Sequence, residues 1–536
     1  MPGGSLVRFT PQQQLILILL GCVYILVIIL TGLAGRRHSN SGETFLHTDR
    51  KLPPWVTSVA FLTANCSALE IIGIIAISAK YGILAVHFYW IGAIPAILLL
   101  ILIVLPIYAQ SKVKSVPQYM ELRFNAPTRM LSAVLFGIMM IFIAGITLSA
   151  MALMVRLSVG LGYGYSVFIF GVCAAAFVAA GGLSAIIFSE IIQFFLVLCV
   201  LVPLTALALR EFHGWAGLSA SLPFGMAHAW KGLPLIDRAA VPMDALGMLL
   251  GLGVVLGGGY WCTDFMLIQR ALVAKDDRSM LQTPIFAVVG KLLLPILLVV
   301  PGLAAVKLFG SKLNGSFDLA LPMLMQRYFT NWMPPFGICA LMASLFSGLC
   351  GNVSACNTAW IHDIYRPYLL KGKSDNHYLL VGRVSTVAAI GMATLAALLA
   401  LHFNALMDYV QLVLAVFNAP LLALVLFGML TRWATPWAGF AGLVAGTIAG
   451  AAHNIAGRIG LLHYGSSMSA NFYGAIVAFA ASSIVIVAAS LATRSAEDAN
   501  LVETVFDWGR SRNSATVIAA AAAIAVAAIA ANVYAW

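Results

Sequence analysis

The sequence predicts an all-α polytopic membrane protein with about fourteen transmembrane helices. Three observations carry that expectation. The chain of 536 residues is 62% hydrophobic and only 9% charged, with a mean hydropathy of +0.98, where a soluble domain has roughly 25% charged residues. Continuous apolar runs of about 20 residues, the length that spans a bilayer core, recur from end to end. Because the runs are unbroken rather than alternating, they exclude a transmembrane barrel. Two runs carry polar or glycine-rich interruptions, which lipid tolerates only where the freed backbone lines a cavity.

In order, the expected crossings are 12–34, 56–80, 83–109, 129–157, 163–182, 187–209, 243–269, 284–308, 335–363, 378–402, 405–431, 435–455, 469–493 and 514–535. The first lacks a basic start and is followed by Arg36 and Arg37, so it reads as an anchor rather than a removable signal. The second holds "TANCSALEIIG", with Asn65, Ser67 and Glu70 at mid-membrane, and the seventh holds "GLGVVLGGGYWCTD". The glycines of the seventh, 257–259, are the expected helix break. Two interrupted spans five helices apart point to an inverted-repeat transporter whose site lies where the breaks meet. The chain then divides into an N-terminal extra helix and cytoplasmic loop (1–55), a first five-helix repeat (56–209), an extracellular loop (210–242), a second repeat (243–431) and additional C-terminal helices (432–536). Gly442, Gly446 and Gly450 recur every four residues and read as a helix-packing face.

The basic residues set the orientation, since Lys and Arg favour cytoplasmic loops. With an even number of spans and the termini outside, nineteen of the thirty Lys and Arg residues fall on the cytoplasmic side, ten outside, and Lys291 within a span. An integral plasma or inner membrane location with extracellular or periplasmic termini follows. The net charge of +11 is scattered over loops and forms no stripe, so a nucleic-acid partner is not expected. The eight cysteines lie in or beside apolar segments without CxxC spacing, which excludes a disulfide or metal framework. No nucleophile–base or metal constellation suggests an enzyme. No cofactor and no obligate protein partner are expected. A membrane sensor module is a lower reading, disfavoured because no sizeable domain follows the last helix.

"YWCTDFMLIQRALVAK" closely resembles a block of the sodium–glucose cotransporter group within the sodium/solute symporter family. "KSVPQYMELRF", "GGLSAIIFSEIIQ", "LMASLFSG…HDIYRP" and "DYVQ" resemble further blocks in the same order. The resemblance implies a LeuT-type 5+5 inverted repeat, alternating access and cation-driven uptake of a small polar solute, with Na+ as coupling ion. It places the solute on Asn65, Tyr260, Trp261, Lys291 and Gln411, with Tyr260 as the gate. Physical chemistry agrees: sugar hydroxyls need the donors and acceptors of Asn65 and Gln411, a sugar C–H face stacks on an aromatic ring, and a charge within a span must face a cavity or a partner. Three departures unsettle glucose itself: Tyr89 stands where the group has Glu, Glu70 where it has His, and Phe265 where it has Gln. Tyr89 and Glu70 join the solute-site candidates, and a different polyol, sugar derivative or cationic solute is compatible with them.

For sodium, the resemblance implies the carbonyls of Thr63, Cys66 and Ser344 and a hydroxyl pair that falls on Ser347 and Gly348. Gly348 has no side-chain oxygen. This leaves two couplings open: sodium at a weakened site, with the Ser344 or Thr63 hydroxyl compensating, or a proton-coupled or cation-independent carrier with Glu70 as proton site. Glu190 aligns with an acidic position on the family's ion exit, or pairs with Arg270 or Lys291. Asp264 is expected in a structural salt bridge, and Asp408 on a solvated outer face. Asp363 and Arg366 are expected in capping or loop pairing, and His362 in a structural role.

Overall fold

The computed structural model describes residues 9–36, 54–113, 115–236, 242–272, 274–313, 315–403, 405–493 and 515–534. Arg8, Arg37, Arg50, Lys51, Lys114, Arg238, Arg494, Arg510 and Arg512, which enter the charge count, lie outside them. The elements of the described chain are helices joined by turns and loops. We label α1 Pro11–Arg36, α2 Pro54–Asn65, α3 Ala68–Tyr81, α4 Val116–Arg123, α5 Ala126–Ser158, α6 Tyr163–Glu211, α7 Gly258–Thr263, α8 Phe265–Leu272, α9 Asp277–Phe309, α10 Met333–Thr358, α11 Asp375–Ala400, α12 Leu406–Leu430, α13 Pro436–Arg458, α14 Ser467–Thr493 and α15 Ala515–Tyr534. Residues 82–111 form an irregular helical run, and Gly247–Gly257 is π-helical and continues into α7. Among the described residues ten helices are long and apolar enough to cross a membrane, or eleven if the bent pair around Asp264 is one span. The protein is thus a multi-pass integral membrane protein.

Two expectations change in detail. The crossings 163–182 and 187–209 are not separated by a turn, because the backbone stays helical from Tyr163 to Glu211. Those 49 residues, at 1.5 Å rise each, exceed twice the ~30 Å bilayer core. In the second interrupted span the glycines are not the break. The helix runs through Gly257, Gly258 and Gly259 and bends by 50° at Asp264. The glycines are needed for close approach: a Cβ on Gly257 would overlap the Gly92 carbonyl oxygen, and one on Gly259 would sit 3.2 Å from the Asn418 carbonyl oxygen. Gly442, Gly446 and Gly450 do form a packing face, where a Cβ on Gly446 would come within 2.8 Å of the Ala478 carbonyl of α14.

Local chemistry fixes the ends that matter for the site. Asn125 caps α5 by accepting from the Thr128 N–H (2.9 Å), and Asp276 caps α9 through the Ser279 N–H (2.7 Å). Arg123 is wholly buried, and its guanidinium donates to the carbonyls of Gly428, Thr431 and Ala434. It thereby locks α4 to the C-terminal end of α12. Helix α9 packs along both α2 and α3, and α12 packs against α3 and α7. The two broken helices therefore share neighbours.

Near one end, Asp408 is buried rather than on a solvated face. Its carboxylate accepts from Lys80 Nζ (3.1 Å) and Ser467 Oγ (2.7 Å), joining the last turn of α3 to α12 and α14. Asp318 lies beside it in the connection between α9 and α10 and accepts from the Leu406 N–H at 3.1 Å. Burial, reinforced by the nearby Asp408 carboxylate and opposed by the Leu406 N–H and Lys80, pushes the Asp318 carboxyl from 3.8 up to about 7. A raised carboxyl stabilises the fold fully below its unfolded value and loses that contribution as pH rises through the folded one. Asp318→Asn keeps the acceptor and removes the charge. The variant is expected to gain stability relative to wild type as pH rises from about 4 to about 7, and to be the more stable near about pH 8. A wild type that is the more stable at the higher pH would refute the assignment.

Candidate functional site

The break in the first interrupted span is local and explicit. Ser67 N–H turns back to the Asn65 carbonyl (2.8 Å), so its regular bond to the Thr63 carbonyl is not made, and the Ala68 N–H finds Ser344 Oγ of α10 at 2.9 Å. Helix α3 then starts with Glu70 in its first turn, where a carboxylate is favoured by the helix dipole. In the second interrupted span, Asp264 ends α7 and its Oδ1 accepts from the Met266 N–H (2.8 Å) at the start of α8. Thr263 Oγ1 donates to the Gly259 carbonyl (2.8 Å) and also bonds the Asn418 side chain of α12.

The two breaks face one cavity of about 140 Å³, lined in part by Asn65, Ser67, Glu70, Tyr89, Glu190, Tyr260, Trp261, Asp264, Lys291, Gly348, Asn352, Met407 and Gln411. All seven expected solute residues meet there. Asn65 Nδ2 donates to the Tyr260 hydroxyl at 2.9 Å, tying one broken helix to the other. Trp261 stands edge-on to Tyr260 (centroids 5.5 Å) and packs on Phe61 (5.8 Å). Gln411 directs Nε2 toward Met407 Sδ at 3.8 Å. The Asn65 Oδ1 and Gln411 Oε1 atoms are buried without a hydrogen-bond partner among the described residues.

Lys291 and Glu70 form an ion pair, with Nζ 2.7 Å from one carboxylate oxygen and 3.0 Å from the other. The ammonium also lies over the Tyr89 ring (5.1 Å) and the Trp261 ring (5.7 Å), where the ring faces attract a cation. Glu190 pairs instead with Arg270 (2.8 Å), which also donates to the Met266 carbonyl. Of the two partners the sequence allowed for Glu190, the fold brings Arg270 to it and gives Lys291 to Glu70.

Of the expected sodium residues, Ser347 carries a buried hydroxyl with no partner among the described residues. The broken turn leaves Thr63's carbonyl without its regular helical donor. A hard cation is bound by oxygens of this kind. Gly348 adds no side-chain oxygen to these two. Gly348 faces Ser67, whose Oγ lies 3.9 Å from where a Cβ on residue 348 would be. Of the compensating hydroxyls suggested by sequence, Ser344 Oγ already accepts from the Ala68 N–H, whereas Thr63 Oγ1 donates to the Ala60 carbonyl and keeps its lone pairs.

Other expectations shift. Phe265 is buried against Phe136 (6.4 Å) and does not line the cavity. Asp264 makes no salt bridge among the described residues, because Arg270 is taken by Glu190 and Asp264 serves the turn into α8. Asp363 is paired across the fold with Arg129 (2.9 Å) and Ser115 (2.6 Å) rather than with Arg366. Arg366 lies over the Tyr378 ring (5.3 Å), and His362 Nδ1 sits 4.0 Å from Asp363. Asn352 and Asn418 were missed, and Ser67 was read as part of the polar patch but not as a wall residue of the cavity. Their signal is weak but present: each is a polar residue in the middle of an apolar span.

Comparison with known proteins gives one answer. The model of the sodium:solute symporter family matches residues 45–446. The sodium/glucose cotransporter of Vibrio parahaemolyticus is 26% identical over 454 residues, covering 80% of this chain and 83% of that one. Sodium/glucose cotransporter 1 of Ovis aries is 24% identical over 539 residues, covering 91% and 80%. The substrate-bound outward-open structure of a Na+-coupled sialic acid symporter shares the fold, with a TM-score of 0.74 at 16% identity, over 89% of this chain and 98% of that one. The helix order, the paired breaks and these likenesses agree: the chain belongs to the sodium:solute symporter family.

Proposed function

We propose that the protein couples the entry of sodium to uptake of a sugar or a sugar-like small polar solute by alternating access. One observation carries this reading: the Asn65–Tyr260 hydrogen bond closes two broken helices on each other over a polar and aromatic cavity. Opening that cavity requires the two helices to part. The names of the relatives, cotransporters of sodium with glucose, support the solute class. In this reading residues 56–209 and 243–431 are inverted five-helix repeats of a LeuT-type arrangement with about fourteen crossings. Residues 1–55 and 432–536 flank them, 210–242 form an extracellular loop, and both termini lie outside. Asn65, Glu70, Tyr89, Tyr260, Trp261, Lys291 and Gln411 form the solute site, with Tyr260 as the inner gate. Sodium rests on the carbonyls of Thr63, Cys66 and Ser344 and the Ser347 hydroxyl, and favours the outward-open state through differential binding. Glu190 lies on its exit. The family is one of transporters, so the protein is not an enzyme and no covalent intermediate forms.

The glycine at 348 favours a second reading, a proton-coupled or cation-independent carrier with Glu70 as proton site. The ion pair weighs against it, because protonating Glu70 would leave the buried Lys291 ammonium without its counter-charge. The test is radiolabelled uptake into proteoliposomes from a panel of sugars, polyols, amino acids and carboxylates. Stimulation by an inward sodium gradient alone is expected. Stimulation by a proton gradient alone would overturn the sodium reading.

A further inference from the structure

The two charged groups of the Lys291–Glu70 pair do not face the cavity equally. The Lys291 side chain is 1% exposed and that of Glu70 15%. An ammonium has three donors. Both Glu70 oxygens and the faces of Tyr89 and Trp261 enclose this one, so Lys291 is committed before a solute arrives. A carboxylate has about four lone-pair positions. Lys291 takes one on each oxygen, which leaves Glu70 with acceptor capacity.

Among the described residues most of the other unpaired buried polar atoms of the wall are acceptors too, Asn65 Oδ1, Gln411 Oε1, Asp264 Oδ2 and Glu190 Oε2, and the Tyr89 hydroxyl both donates and accepts. The Asn65 amide spends a donor on Tyr260 and keeps Oδ1 unpaired, and Gln411 Oε1 is likewise unpaired among the described residues. A cavity in which acceptors outnumber donors favours a solute rich in donors. A solute bearing a carboxylate would meet Glu70 and the two amide oxygens with like polarity. To reach Lys291 it would have to displace Glu70 and leave that charge buried and unpaired.

We propose, resting on the symporter reading above, that this pocket takes a polyhydroxylated solute carrying an ammonium group. The ammonium binds Glu70 through a charge-assisted hydrogen bond, the stronger kind, and hydroxyls donate to Asn65 Oδ1 and Gln411 Oε1. Lys291 is a positioning residue that holds the Glu70 carboxylate and does not touch the solute. Charge and donor count, rather than sugar ring shape, set the specificity.

The experiment is calorimetric titration of the full-length protein in detergent and sodium chloride with glucosamine, glucose, N-acetylglucosamine and glucuronate, at a pH where the amine is protonated. Glucosamine is expected to bind about tenfold more tightly than glucose, a ratio worth ~1.4 kcal/mol. N-acetylglucosamine, which keeps the bulk and loses the charge, is expected to forfeit that advantage, and glucuronate to bind most weakly. Glu70→Gln is expected to bring the glucosamine-to-glucose ratio to about one, since only the charge-assisted bond distinguishes them. Equal binding of glucosamine and glucose by the wild type, preference for glucuronate, or binding of none of the four overturns the proposal, whether or not the variant folds. Uptake separates the two readings. Sodium-driven glucose transport without amine preference overturns this inference and leaves the symporter standing. Tight glucosamine binding with sodium-independent uptake leaves the pocket chemistry standing and overturns the symporter.

Discussion

Glu70→Gln is expected to destabilise the protein by about 3–5 kcal/mol, the usual consequence of stranding one member of a buried ion pair. Lys291 is wholly enclosed, so the ammonium left behind has no water to turn to. Lys291→Met strands the other partner, but Glu70 borders the cavity and can be hydrated there. The lysine variant is therefore expected to lose less than the glutamate variant. Removing both charges together costs far less than the sum of the two single losses, because an apolar pair avoids the desolvation of either ion. Unfolding of the four proteins in one detergent, analysed as a double-mutant cycle, measures this. Additive losses would mean that the two side chains do not interact in solution, and the account of the pocket built on their pairing would fall with that result.

The second large effect concerns the driving ion. Gly348→Ser is expected to lower the sodium concentration that half-activates uptake by roughly tenfold, since one further oxygen ligand worth about 1 kcal/mol or a little more shifts affinity by that factor. The structure has room for it: a Cβ at this position would lie 3.4 Å from the Ser67 Cβ, in ordinary contact. Ser347→Ala, which deletes a buried hydroxyl with no other partner among the described residues, is expected to raise the same concentration. If sodium dependence is unaltered in both variants, the ion does not sit between the first broken helix and α10.

Much of the chain's organisation was legible from residue order. Apolar runs of membrane length and the polar patch at Asn65, Ser67 and Glu70 announced a helical membrane protein with a broken first span, because neither feature has a stable alternative in lipid. Glu190 and Lys291 were recognisable as charges needing partners, whereas Asp408 read as solvated. Which partner each took was not legible, since the pairs Glu70–Lys291, Glu190–Arg270 and Lys80–Asp408 join residues 221, 80 and 328 positions apart. Local pattern carries no information over such separations.

The glycines 257–259 show the same limit from the other side. A run of glycines weakens a helix by intrinsic propensity, which is why the sequence points to a break there. In the fold, Gly92 and Asn418 press so close that only glycine fits, and the helix persists. The turn moves to Asp264, whose carboxylate can accept from the backbone N–H that the bend frees. By itself the sequence determined that this is a membrane transporter with two interrupted helices, because burial of apolar length and the cost of bare backbone in lipid act locally. Only the tertiary structure decided where the second helix breaks, which carboxylate holds Lys291 and which polar atoms are left for a solute. Those outcomes depend on the atoms that distant helices bring into contact.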